Sequence, residues 1–281
     1  MPPPDGNPRI GPSEFYRVIT EAVNDFAEHG YASQAQLDRW LEAIRRAALA
    51  SMVPDYVVEN ELRGLLQSVF DREIKRGAIL RHHKGLEAFK LANVKPALHA
   101  ELDRRIRAAT DLIKLNRPAA VDKTLQRFAG WATSVPAGGS RVIEKVDTKK
   151  DIRKSLAQLP FEVRRLNIDQ SHKLVASLNQ IIADDAGAIA GKWYSHFQQA
   201  GYDYRKDHKK RHDKIYLIRN SWAHRAGLVK PGKPGYLDEI TAPGEEPFCR
   251  CFVTYLYHLR ALPENMLMAK GKAELARVRA A

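Results

Sequence analysis

Trp193-Tyr194-Ser195-His196-Phe197-Gln198-Gln199-Ala200-Gly201-Tyr202-Asp203-Tyr204-Arg205-Lys206-Asp207-His208-Lys209-Lys210-Arg211-His212-Asp213-Lys214-Ile215-Tyr216 is the stretch at which the chain stops repeating at helical spacing. Before it, apolar residues recur three and four apart. After it, Ile215-Tyr216-Leu217-Ile218 and the aromatic run from Phe252 to Tyr257 read as strands. The pattern predicts an α+β fold, predominantly α: a helical N-terminal module plus a C-terminal helix and a small β module.

Working back from that stretch, Pro160 opens a long helix with Val163, Leu166, Leu174, Leu178, Ile181 and Ile182 on one face, preceded by a short helix from Thr148 to Leu159. Asp169, Gln170 and Asn179 lie on the long helix, where they can serve structural hydrogen bonds or a site. Asp184-Asp185 reads as a solvated face, because neighbours on a helix point about 100° apart and do not clasp one ion. Further back, Ser13 and Ser33 can cap helices that end at Gly30 and before Pro54. A third helix runs from about Asp55 to Arg76, a fourth from Pro96 to just before Pro118, and a fifth to about Ser134. A Pro-rich lead to Pro12 comes first. Arg81-His82-His83-Lys84 holds a histidine pair among cations, which opposes metal binding and predicts a solvated helix end. Pro136-Ala137-Gly138-Gly139-Ser140 reads as a hinge. The domains expected are therefore a helical module over 1–135, the hinge over 136–140 and a basic module over 141–281.

The 281 residues hold 46 Lys and Arg against 33 Asp and Glu, a net charge of +13. Residues 1–140 carry 20 basic and 17 acidic side chains, whereas residues 141–281 carry 26 and 16, so the excess belongs to the second half. An anionic partner is expected there. No apolar run approaches the roughly 18 residues of a membrane span, and the first residues lack the basic-then-apolar layout of a secretory signal. Two cysteines one residue apart cannot staple a fold, which predicts maturation in a reducing cytoplasm.

Within 205–214, six basic residues and two histidines stand beside tyrosines and a tryptophan. Arg205, Lys206, Lys209, Lys210, Arg211 and Lys214 are candidates for phosphate contact, with the aromatics available for stacking. The same string also suits a solvated loop on an aromatic core. Cys249-Arg250-Cys251 in extended chain would turn both sulfurs to one face. With His208 and His212, one helical turn apart, these cysteines could complete a tetrahedral zinc site. Two buried reduced cysteines are the competing reading. The Gly-Lys pair in Lys230-Pro231-Gly232-Lys233-Pro234-Gly235 lacks the spacing and the following Ser or Thr of a phosphate-binding loop. Asp203, Asp207, His208 and His212 would be the metal-holding residues of an alternative, a metal-dependent nuclease. A DNA-binding accessory protein is a further alternative.

The order Trp193, Gly201 to Arg205, Asp207-His208, Pro243-Gly244 and Cys249-Arg250-Cys251 resembles the phage Mu F-like head morphogenesis, or minor head protein, family. Arg205-Lys206-Asp207-His208 matches its Arg-x-x-His element and the final tripeptide its closing Cys-Arg-Cys, over roughly residues 160–260. The chain departs from that pattern at Ile168-Asp169-Gln170-Ser171, where many relatives carry Arg-Thr-Glu. It departs again at His212-Asp213-Lys214, which lacks a Gly. The resemblance implies a non-enzymatic, low-copy structural protein of a tailed-phage head, placed in the virion, in the capsid interior or portal region, and in the host cytoplasm during assembly. The partners implied are the portal protein, the major capsid protein and packaged double-stranded DNA contacted without sequence preference, with no membrane.

Overall fold

The computed structural model describes residues 13–86 and 91–280; the Pro-rich lead to Pro12 lies outside them. Five helices come first: α1 (Ser13–His29), α2 (Gln34–Ala50), α3 (Asp55–Phe70), α4 (Leu91–Ala132) and α5 (Lys145–Asp185). There follow β1 (Ala190–Tyr194), α6 (Lys206–Arg211), β2 (Ile215–Leu217), α7 (Trp222–Arg225), β3 (Phe252–Leu256) and α8 (Ala269–Ala280). The fold is α+β and predominantly α, with one three-stranded sheet.

Local chemistry sets several boundaries as expected. Ser33 caps α2, its hydroxyl accepting from the Gln36 backbone N–H at 3.2 Å. A single π turn, Asp71–Lys75, continues α3 to Arg76. The prolines behave otherwise. Pro118 and Pro160 were expected at helix boundaries, yet α4 runs unbroken for 42 residues and α5 for 41. A proline inside a helix forfeits one backbone hydrogen bond and costs roughly 3 kcal/mol. At Pro118, apolar burial on both sides offsets that cost: Ile106, Ala109 and Ile113 precede it, and Val121, Leu125 and Phe128 follow it.

The chain divides into two compact units. One contains the chain up to Asn60 with Thr110–Arg164; the other contains Glu61–Ala109 with the chain from Arg165 onward. α3, α4 and α5 each contribute to both. The stretch 136–140 lies inside the first unit and is tied to the end of α1, with Gly138 N–H donating to the His29 carbonyl at 3.0 Å and Ser140 N–H to the Ala27 carbonyl at 2.9 Å. A Cβ on Gly139 would stand 2.4 Å from the Ala27 carbonyl oxygen, so only glycine fits this docked turn. The core of this unit is α1 and α2 against the C-terminal half of α4, with Phe26 edge-on to Phe128 at 5.6 Å.

In the second unit β1 is the central strand, antiparallel to β2 and to β3. Alternation divides its residues between two apolar clusters. Ala190, Leu217 and Leu256 join Leu228, Val229, Leu259 and Met266, while Trp193, Tyr216, Val253 and Tyr255 join Cys249, Cys251 and Tyr257. The cysteines share the odd-numbered phase of β3, so the approach to that strand turns both into one core. β1 has little β signal in its own sequence, with Gly191 and Lys192 inside it. It is held by its neighbours: Gly191 lets β3 approach, because a Cβ there would meet Val253 Cγ1 at 2.6 Å. Tyr194 stacks on its register partner Phe252 at 5.0 Å.

Candidate metal centre

α6 is a single polar turn with one inward side chain. His208 is buried, while Lys206, Lys209 and Lys210 around it are exposed. Its ring meets the edge of Trp193 at 5.6 Å. Across from it, residues 242–248 form a turn ending at Phe248, whose φ of 60° reverses the chain just before Cys249. The Asp169 carboxylate on α5 pins this turn by accepting the Phe248 N–H at 2.5 Å, and Lys173 pairs with the same carboxylate at 3.1 Å. Asp169 is thus a positioning residue for the cysteine pair, the structural of the two uses its place on the long helix allowed.

The outcome is a three-donor cluster. His208 Nδ1 lies 3.6 Å from Cys249 Sγ and 3.5 Å from Cys251 Sγ, and the three ligand atoms stand within 4.8 Å of one another. All three residues are buried. A hydrogen bond from the Cys251 thiol pushes the Cys249 thiol down. The backbone N–H groups of Gly244 and Cys251 and the charge of His208 add to the effect, and burial opposes it. The Cys251 thiol moves up, held protonated by the same hydrogen bond and by burial. On the far side of the imidazole, Nε2 is buried without a hydrogen-bond partner, 3.6 Å from a Glu246 carboxylate oxygen and 3.7 Å from one of Asp207.

This geometry passes a metal-fit test. Ligand bonds of about 2.0 Å to nitrogen and 2.3 Å to sulfur, set at the tetrahedral angle, require N···S separations of about 3.6 Å. The Nδ1 to Sγ distances already have that value. Two soft sulfurs and an imidazole, with a carboxylate behind the second ring nitrogen, form the donor set of a thiophilic divalent ion. The cluster can hold a metal ion through His208, Cys249 and Cys251.

His212 does not join it. α6 ends at Arg211, and His212 takes an extended ψ of 133°, so the one-turn spacing from His208 is lost. Its Nδ1 accepts from the Ser195 N–H at 3.1 Å, and its ring meets Tyr194 and Phe197 edge-on. The cationic candidates also separate. Arg205 is ion-paired with Glu246 and donates to the Pro247 carbonyl. Arg211 is held by Asp207 and Thr241 and lies over Trp193. Lys209 sits over Phe197 and Tyr204, while Lys206, Lys210 and Lys214 point into solvent.

The paired histidines contradict the solvated helix end expected of them. His83 is buried, stacked on Tyr255 at 5.4 Å, with Nδ1 2.5 Å from the Tyr257 hydroxyl and Nε2 3.0 Å from Asn179 Oδ1. His82 is buried against Phe252. Burial pushes both down to about 4, with Arg81 adding to the effect on His82 and His82 to that on His83. Adjacent cations in the sequence concealed this, since Arg81 stays exposed while pairing with the buried Glu73 carboxylate and the two rings turn inward. Asp184 and Asp185 are exposed, as their spacing suggested. No helix among the described residues is long and apolar enough to cross a membrane. Comparison of the chain with protein-family models, with curated proteins and with solved structures finds no match.

Proposed function

We propose that this chain is a non-catalytic minor structural protein of a tailed-phage head, with its C-terminal module fastened by one zinc ion on His208, Cys249 and Cys251. One observation carries the reading: the residues of the motif order, far apart in sequence, meet around a single centre. Trp193 packs on His208, Arg205 pairs with Glu246 beneath the imidazole, and Gly244 donates its N–H to the Cys249 sulfur. A motif whose members converge in this way is a unit of structure, which supports the family resemblance. Zinc is the ion best suited to a buried imidazole and two thiolates in a fold that uses no disulfide.

The nuclease alternative needs Asp203, Asp207, His208 and His212 around one cation. Here Asp207 is taken by Arg211, His212 faces aromatic rings, and His208 turns Nδ1 to two sulfurs. That arrangement does not assemble the four-residue cation site this alternative needs. Exposed Lys206, Lys210 and Lys214 suit non-specific contact with packaged DNA, and the helical faces of the first unit suit a portal or capsid subunit. The deciding experiment is affinity purification of the tagged chain from cells assembling heads. Portal or major capsid protein is expected in the eluate; absence of both overturns the assignment. Elemental analysis of the purified chain tests the ion separately, with one zinc per chain expected.

A further inference from the structure

Beside the metal centre, in the second unit, a cavity of about 470 Å³ opens between α5, the start of β3 and the turn carrying His82. Its polar walls are unusual in sign. Arg81, His82, His172, Asn179, His196 and Arg250 line it, and among the described residues no carboxylate does.

The hydrogen bonds around the cavity fix which groups are left to face a ligand. Arg81 Nε donates to His82 Nε2 at 3.0 Å, and a guanidinium can only donate, so His82 carries its proton on Nδ1 and is itself a donor. Asn179 spends its carbonyl oxygen on His83, leaving its amide N–H groups. The nearby acids are already engaged: Glu73 by Arg72 and Arg81, Asp169 by Lys173 and the Phe248 N–H. Arg250 makes no ion pair among the described residues, and its guanidinium lies over the Tyr202 ring. The His172 and His196 rings add further nitrogens to the wall beside the Arg250 guanidinium.

We propose that this cavity is a phosphate-binding pocket, taking inorganic phosphate or the phosphate group of a small monoester. A phosphate offers only acceptors and negative charge, the complement of a wall made of guanidinium, imidazole and amide donors. Its size falls within the range of small-molecule sites and exceeds what a bare anion fills, which leaves room for the organic part of a monoester. The pocket is distinct from the metal cluster, sharing with it the Cys251 wall, and it does not depend on the head-protein assignment.

The test is calorimetric titration of the full chain, in low salt, with inorganic phosphate, 5′-AMP and adenosine. Saturable one-to-one binding of phosphate and of 5′-AMP is expected, and none of adenosine. Tighter binding of 5′-AMP than of phosphate identifies a monoester as the ligand class, and equal binding identifies the free anion. Arg250→Gln is expected to weaken phosphate at least about tenfold, the scale of one lost charged hydrogen bond. Because Arg250 stands between two metal ligands, His172→Glu is the second variant. His172 is exposed at the cavity, so the added carboxylate should leave folding and metal content unchanged while abolishing phosphate binding. Absence of saturable phosphate binding, or wild-type binding by a folded His172→Glu, overturns the proposal. Metal content measured on each variant keeps loss of the metal centre separate from loss of the pocket.

Discussion

Cys251 keeps its proton and donates it as a hydrogen bond to the Cys249 sulfur, while burial also favours its neutral form. Cys251→Ser keeps that hydrogen bond but removes one soft ligand. The variant is expected to lose bound zinc and to melt several degrees lower, read by elemental analysis and thermal unfolding; full zinc occupancy would remove the ion from His208 and these cysteines. A second residue-scale effect comes from His82 and His83. Each titrates near 4 in the fold against about 6.5 unfolded, so the unfolded chain binds more protons between those values. Their contribution is complete above pH 6.5 and is lost as pH falls toward 4, up to about 3 kcal/mol for each. Denaturant melts at pH 7 and 4.5 should show this loss. His83→Gln should make the pH slope shallower; an unchanged slope assigns the acid sensitivity elsewhere.

Elements report on themselves through their weakest positions. Pro160 is exposed and lies inside a continuous α5, where it leaves the preceding turn one hydrogen bond short. Pro160→Ala is therefore expected to stabilise the protein by about 2 kcal/mol, the helix gain minus the added freedom of the unfolded chain. A lower melting temperature would mean that the helix is broken there. β1 gives the opposite case. Gly191→Ala must push Val253 aside in a packed sheet, and a loss of about 1–3 kcal/mol is expected from denaturant unfolding. The same two elements show what local reading can do. Apolar stripes place α1, α2 and α3, with the Ser33 cap at α2, because a helix is specified by contacts three and four residues apart. β1 has no such signal: its Gly and Lys suit a strand only once β2 and β3 stand on either side.

For the whole molecule, the charge of +13 is concentrated beyond residue 140, but its side chains are not equivalent. Arg205 and Arg211 hold turns together, whereas Lys206, Lys210 and Lys214 meet solvent. Replacing these three lysines by Gln should lower duplex-DNA affinity and flatten its log–log salt dependence by about 0.9 per lysine that contacts phosphate. A gel-retardation series in rising salt measures it, and an unchanged slope leaves the three as solvated surface only. The sequence by itself determined the fold class, the starts of α1, α2 and α3, the same-face placement of Cys249 and Cys251, and the half of the chain that holds the charge. Each depends on a period or a composition that a few neighbouring residues carry. Tertiary structure alone decided that helices run through Pro118 and Pro160, that His83 is buried, and that His208 meets the cysteines while His212 does not. These outcomes join residues 41 positions apart at the metal centre and 174 at the His83–Tyr257 contact. Burial and ligand distance arise only when such remote segments pack, and no local pattern encodes them.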